Sequence, residues 1–487
     1  MHQALREPDT VASESSAGEP FGRRLWLGLL AVVLVAVCLD SYGISTWPMA
    51  DDEVPTLVEL GLYQVPGNAF SVPAVQLERL PRALPVYYAF QRAALRALPH
   101  DVPGLRIPAL VCAVLVSGLA FVVAARWRGL WFGAAVAIVL NLSQPFVYLA
   151  QIDRFYSMPL LMLVLTLVAI GTSGRDVPLT LATAVLATLT VLSHNVTVAV
   201  FVLAFLAACC AYVVGRAPRY LVVRTAVAAA ISVLLYFFFI RPLVSGWHST
   251  GNPTPVLVSF AAHAGVPSLA LAGLGIWLAI TRKEQGISMA WSALMLCGSI
   301  CFLQLTGMTW NPRYFLFFMP ALWMLAAYAM ERVAHGFANR STAAVWYGCV
   351  VVLLLPNLLS HYQDGSRHDY RRAAAVLKAS AQQGQPILSD DAETISYYLP
   401  EELKPNLLVR TKATTFPAGE FFLVARSNAW TALPQIPGRH LQLMSELYAR
   451  RFDQFSHILR VYRIAPAATT PPQTAIAVEA AASASRR

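Results

Sequence analysis

Three consecutive acids, Asp51, Asp52 and Glu53, stand in the stretch WPMADDEVP just beyond the first long apolar run. A carboxylate in that place can act as a general base toward a hydroxyl at the membrane surface, given a bound substrate and a partner cation. Asp52 is the favoured base because acids flank it on both sides, and their mutual repulsion raises at least one pKa in the group. The plain alternative is a solvated helix start, where acids complement the dipole. A second cluster, Gln151-Ile152-Asp153-Arg154-Phe155-Tyr156, occupies a connection of a few residues, and its plain alternative is an Asp and an Arg satisfied locally at a helix end. The third is Asn311-Pro312-Arg313-Tyr314, whose guanidinium can grip a phosphate bidentately or snorkel to headgroups. His194, in LSHNV, is the fourth, as a donor-site ligand or as a polar cap on a tight hairpin.

The elements that must position these residues are membrane helices. Of 487 residues 57% are hydrophobic and 13% charged, about half the charged share of a soluble domain. Apolar runs lie at 25–46, 105–124, 129–148, 155–171, 177–193, 196–214, 221–243, 257–280, 287–306, 313–331 and 342–360, which predicts about 11 spans. Placing the Lys/Arg-bearing connections in the cytoplasm makes the runs alternate without exception. Residues 1–24 then form a cytoplasmic tail, the first outer loop covers 47–104, and all four clusters fall on the outer side. The net charge of +10 therefore reports orientation, and no nucleic-acid partner is expected. The seven cysteines all lie in apolar runs, so neither a disulfide framework nor a zinc knuckle is predicted. With no small-residue cleavage signature after it, the first run reads as a retained helix.

Within the outer loop, EVPTLVELGLY and QLERLPRAL read as amphipathic helices lying on the bilayer. The stretch 84–98 is short for a span and carries Arg92 and Arg96 four apart, so it is predicted to be interfacial. Beyond 361 the composition becomes that of a soluble protein. DYRRAAAVLKASAQQ reads as a helix and GQPILSD, GEFFLVAR and FSHILRVYRI as strands, predicting a small extracytoplasmic α/β domain at 361–464. The Ala/Thr/Pro-rich stretch 465–487 is predicted to be disordered.

A shared cavity with carboxylates at one edge and arginines at another suits a substrate with a hydroxyl to deprotonate and a phosphate leaving group, as in a lipid-phosphate-linked donor. On ADDEVPTLVELGLYQVP, YLAQIDRFYSMPLLMLVL, NPRYFLFFMPALWML and DYRRAAAVLKA, the chain resembles the GT-C membrane glycosyltransferases, specifically the group of dolichyl-phosphate-mannose protein mannosyltransferases and aminoarabinose transferases. The resemblance implies a catalytic carboxylate at Asp52 with Glu53 beside it. It also implies donor contacts at Arg154, Tyr156, Arg313 and Tyr314, and juxtamembrane helices in the first outer loop. Where that group often has His or Lys before Pro-Pro, this chain has Ala83-Leu84-Pro85-Val86, which argues against a lysine-dependent donor such as aminoarabinose phosphate.

The expectation is an inverting glycosyltransferase of the bacterial inner membrane. It would pass a sugar from a polyprenyl-phosphate donor to a hydroxyl acceptor on a glycolipid, lipopolysaccharide, polysaccharide or protein at the outer face. Asp52, with Asp51 and Glu53, would handle the acceptor, while Arg313, Tyr314, Arg154, Tyr156, Asp153 and His194 would hold donor phosphate or sugar. A divalent cation between Asp51 and Asp153 is compatible with this reading and not required by it. The rival expectation is a transporter or lipid flippase, which predicts ionisable residues near mid-membrane.

Overall fold

The computed structural model describes residues 21–49, 53–66, 79, 81–174, 176–215, 217–244, 261, 264–281, 292, 296, 298, 316–363, 365–410, 416–427, 436–448 and 458–466. Ten of the eleven expected apolar runs carry a helix, and the run 287–306 lies almost wholly outside the described residues. The helices are α1 (Phe21–Ser41), α4 (Val102–Arg128), α5 (Leu130–Asn141), α6 (Gln144–Ala150), α7 (Ser157–Gly171), α8 (Asp176–Val191), α9 (Thr197–Val213), α10 (Arg219–Leu235), α12 (Val266–Thr281), α13 (Met319–His335) and α14 (Arg340–His361). A π turn, Tyr236–Ile240, leads from α10 into the short α11 (Arg241–Val244). Four stretches among the described residues, Gly22–Ser41, Val102–Arg128, Arg219–Leu243 and Arg340–His361, are long and apolar enough to cross a membrane singly, and the α5–α6 pair makes a fifth if counted as one span.

The run 129–148, expected as one span, consists of two helices, α5 and α6, bent by 68° at their junction. Pro145 supplies the reason. Without an N–H it cannot join the ladder of a preceding turn, so a new helix starts at Gln144, with the extended Ser143 at its N-cap and Pro145 in its first turn, where no N–H is needed.

The connection 47–104, expected on the outer side, contributes α2 (Glu53–Glu59) and α3 (Pro85–Leu95). At 11 residues α3 is about 16 Å long, about half of a hydrocarbon core. Arg92 and Arg96 point outward while Tyr87, Tyr88, Gln91 and Leu95 are buried. The α2 segment departs from the expected surface helix. Its charged face is the buried one, with Glu53, Thr56 and Glu59 turned into the protein, while Val54 and Leu57 pack against Leu95, Leu105, Tyr397 and Tyr398. The helix is sandwiched between the bundle and the C-terminal unit, so both of its faces are covered.

That unit comprises α15 (Tyr370–Ser380), β1 (Ile387–Ser389), α16 (Ala392–Tyr398), β2 (Leu407–Val409), β3 (Phe421–Ser427), β4 (Arg439–Tyr448) and β5 (Ile458–Pro466). The sheet order is β2-β1-β3-β5-β4, parallel among the first three strands and antiparallel along β3-β5-β4. Asp369 caps α15 by accepting from Arg372 N at 3.0 Å, and Tyr370, Ala373, Ala374 and Leu377 form its buried stripe. Successive residues of β3 feed opposite faces: Phe422 and Val424 meet α15 and α16, whereas Phe421, Leu423 and Ala425 pack with Ile436 and Tyr462. With both faces covered the strand reads as one apolar run.

Close helix approach holds the bundle together. At Gly275 in α12 an added Cβ would lie 2.1 Å from the Leu325 carbonyl oxygen of α13, so only glycine lets the two backbones meet there. Gly275→Ala is expected to wedge these helices apart at a cost of about 1–3 kcal/mol, despite alanine's better helix propensity. A lower melting temperature in detergent is the readout, and an unchanged or higher one would refute the close contact.

Candidate active site at one end of the bundle

The described ionic contacts between bundle elements sort into two groups along the helices. At one end Arg128 meets Glu331 at 2.8 Å and Arg224 meets Asp176 at 3.1 Å, both in connections assigned to the cytoplasm by charge. At the other end the buried acids Glu53 and Glu59 meet the buried arginines Arg106, Arg154 and Arg367, with buried Asp153 beside Glu53.

Glu53 is fully enclosed. Its Oε1 accepts from Arg106 Nε and from the Asp153 backbone N–H, both at 2.8 Å, and its Oε2 accepts from Arg106 Nη2 at 2.8 Å, with Arg367 Nη1 at 3.6 Å. Such a bidentate, charge-assisted pair anchors the carboxylate. Arg106 also donates to the carbonyl oxygens of Ile44 (2.7 Å), Trp47 (3.3 Å) and Pro48 (2.9 Å), fastening the end of the first span to the start of α4.

Six residues along α2, Glu59 accepts from Arg154 Nη1 at 2.8 Å and from the Tyr88 hydroxyl. Arg154 also donates to Thr56 Oγ1 at 2.7 Å and lies 4.2 Å from the centroid of the Phe155 ring. Asp153 Oδ1 accepts from Gln91 Nε2 at 2.6 Å and from the Tyr87 hydroxyl at 3.3 Å, while its Oδ2 has no partner among the described residues. Burial, reinforced by the charge of Glu53, pushes the Asp153 carboxyl well above the usual range, and burial raises Glu59 despite Arg154. Asp153 is thereby biased toward its neutral, proton-donating form.

His194 sits on the turn between α8 and α9, boxed by Phe155, Tyr156 and Phe317 at ring distances of 5.1, 5.7 and 4.6 Å. Its Nδ1 accepts from Val196 N at 3.2 Å, and burial lowers its pKa to about 3, leaving a neutral ring. The fold therefore brings Glu53, Asp153, Arg154, Tyr156 and His194 to one end of the bundle. Asp51, Asp52, Arg313 and Tyr314 lie outside the described residues. Asp52 directly precedes Glu53 in the chain, and Phe317, against His194, follows Arg313 by four positions. Among the described residues no three His, Cys, Asp or Glu side chains form a metal-ligating group, and Asp51 is not one of those residues. At the position where the resembled group carries a base before Pro-Pro, buried Leu84 precedes Pro85, the first residue of α3.

Sequence reasoning passed over Glu59, Tyr87, Tyr88, Gln91, Arg106 and Arg367. Arg106 carried a signal, since an arginine inside an apolar run needs a partner. Glu53, Thr56 and Glu59 fall three apart and so share a helical face. Arg367, in the soluble-looking region, carried none.

No family model matches the sequence, and no curated protein is similar to it. Among solved structures, the fold is similar to the aminoarabinose transferase ArnT from Cupriavidus metallidurans in its apo state, with a TM-score of 0.53 at 12% identity over 91% of this chain and 98% of that one. The chain has the GT-C fold. ArnT bound to undecaprenyl phosphate aligns at a TM-score of 0.49 and 13% identity, covering 93% of this chain and 100% of that one. The Archaeoglobus fulgidus oligosaccharyltransferase in its apo form aligns at 0.48 and 10% identity, covering 79% and 64%. With this fold and its apolar helices, the chain is an integral membrane protein. The architecture has two parts, a helical bundle bearing the clustered charges at one end and a small sheet domain seated against that end.

Proposed function

We propose that this protein is an inverting glycosyltransferase that moves a sugar from a polyprenyl-phosphate donor to a hydroxyl acceptor at the outer face of the inner membrane. The observation that carries this reading is that Asp153 and Arg154 reach the helix that begins at Glu53, at one end of a GT-C bundle, with Tyr156 and His194 packed together beside them. ArnT, which shares the fold, has been solved with undecaprenyl phosphate, in keeping with a lipid-phosphate donor here.

In the proposed reaction Asp52 takes the proton of the acceptor hydroxyl as its oxygen attacks the anomeric carbon. The bond from that carbon to the donor phosphate oxygen breaks, and the electron pair leaves on the polyprenyl phosphate. Arg313, with Tyr314, neutralises the departing phosphate. Arg154 is already charge-balanced by Glu59, which favours a role in holding α2 in place. A single in-line displacement inverts the anomeric centre.

Mass spectrometry of lipid extracts and envelope glycans from wild-type cells, a deletion and Asp52→Asn tests the reading. The deletion and the point variant are expected to lose the same sugar from the envelope and to accumulate it on polyprenyl phosphate. An unchanged glycan profile in the deletion would sink it.

A further inference from the structure

The chain on either side of Asp51 and Asp52 is pinned from two directions, and one set of pins comes from beyond the last membrane helix. The Pro48 carbonyl oxygen accepts from Arg106 Nη2 at 2.9 Å and from Arg367 Nη1 at 3.1 Å. Met49 N donates to the Tyr398 hydroxyl at 2.6 Å. Trp47 stacks on Tyr362 at 6.2 Å and meets His361 edge-on at 5.1 Å. Its ring is slotted against two glycines. A Cβ would come within 2.3 Å of the ring at Gly43 and within 2.7 Å at Gly365, and both glycines have positive φ, +75° and +70°. On the far side, Glu53 is held by Arg106 with Arg367 beside it, and Arg367 Nη2 ties back to the Gln151 carbonyl oxygen at 2.7 Å.

We propose that the region after the last membrane helix positions the reacting carboxylate, with Arg367 and Tyr398 as its positioning residues, rather than serving only as an appended soluble domain. The proposal rests on the glycosyltransferase reading, with Asp52 as base. Arg367 and Tyr398 grip backbone atoms of the segment that leads into the two acids, so their hold does not depend on which side chains that segment carries. Met49 and Arg367 are buried, and the Arg367 contact to Pro48 is enclosed, while Tyr398 reaches Met49 from a half-buried position. A base must sit within hydrogen-bond reach of the proton it takes, and a displacement of about 1 Å costs about a hundredfold in rate. Removing the Tyr398 hydroxyl leaves the Met49 N–H buried and unpaired, and moving the segment is the simplest relief.

The experiment uses full-length protein in detergent. The donor is the polyprenyl-phosphate sugar fraction extracted from deletion cells, the acceptor is membranes of the same cells, and release of free polyprenyl phosphate is the readout. Tyr398→Phe keeps the ring packed against Tyr397 and is expected to lower kcat about 10- to 100-fold. Donor KM should stay within about threefold and the melting temperature should fall by only about 2–4 °C, the cost of one hydrogen bond, a split that a purely structural role would not produce. Arg367→Lys retains the cation but not the two-carbonyl bridge and is expected to keep more turnover than Arg367→Gln. Should an Arg367 variant fail to fold, Tyr398→Phe carries the test. Wild-type kcat in both Tyr398→Phe and Arg367→Lys, beside an inactive Asp52→Asn, would overturn the positioning role alone. Wild-type turnover in Asp52→Asn would instead overturn the parent reading and this proposal with it.

Discussion

Asp52→Asn is expected to lower turnover about 10²- to 10⁴-fold, the contribution typical of a general base, while the melting temperature in detergent stays near that of the wild type. The substitution preserves size and removes only the ability to take a proton. Donor KM should change little, because the base acts on the acceptor hydroxyl and the donor is held elsewhere. Asp51→Asn serves as the internal comparison. If Asp52 is the base, its loss should exceed that of Asp51 by at least about tenfold, whereas comparable losses would point to a shared role such as holding a cation. Residual activity above about a tenth of wild type would remove Asp52 from the mechanism. Glu53 is not expected to behave like Asp52. Its carboxylate already accepts from both prongs of Arg106 and from Asp153 N, so Glu53→Gln should reduce stability more than it alters kcat in the protein that survives.

How much of this was legible follows from the kind of interaction involved. Long apolar runs announce themselves locally, so α1, α4 and α14 fall where hydropathy places them. The strand FFLVARS was equally plain, because a strand covered on both faces is apolar throughout. Strand β4, RHLQLMSELY, was not foreseen. Its polar residues obscure the alternation, and it gains its place only by pairing with β5, where Glu446 stands opposite Arg460 and bonds it at 2.6 Å. The α2 segment was legible as a helix but not in its orientation. Periodicity marks which residues share a face, yet it does not say that the charged face is the buried one, because that depends on Arg106 and Arg154 arriving from elsewhere in the chain. The candidate site divides in the same way. Clusters contiguous in sequence, at 51–53 and 151–156, could be seen, while residues that join them from far away, Tyr87, Arg367 and Tyr398, could not.

The second large effect concerns the pair that anchors the site. Both side chains of Arg106 and Glu53 are completely shielded from solvent. Removing one member of such a pair typically costs about 3–5 kcal/mol, because the other charge is left desolvated and unmatched. Arg106→Met is expected at the lower end of that range, since a second cation stands in reserve. Arg367 lies 3.6 Å from Glu53, and its pKa is held down to about 10 by burial and by the neighbouring charge of Arg106, so it remains cationic at neutral pH. Taking Arg106 away relieves that repulsion and lets Arg367 close on Glu53. Glu53→Gln should be milder than Arg106→Met, because Arg106 keeps three carbonyl partners. Combining Glu53→Gln with Arg106→Met should cost less than the two single changes added together, by about 1 kcal/mol or more, whereas Arg106→Met with Arg367→Met should cost more than their sum, because Glu53 is then stranded. Unfolding titrations in mixed SDS micelles on the six proteins give both coupling energies. Additivity in both cycles would mean that Glu53 does not depend on either arginine, and the anchoring role assigned to this cluster would fail.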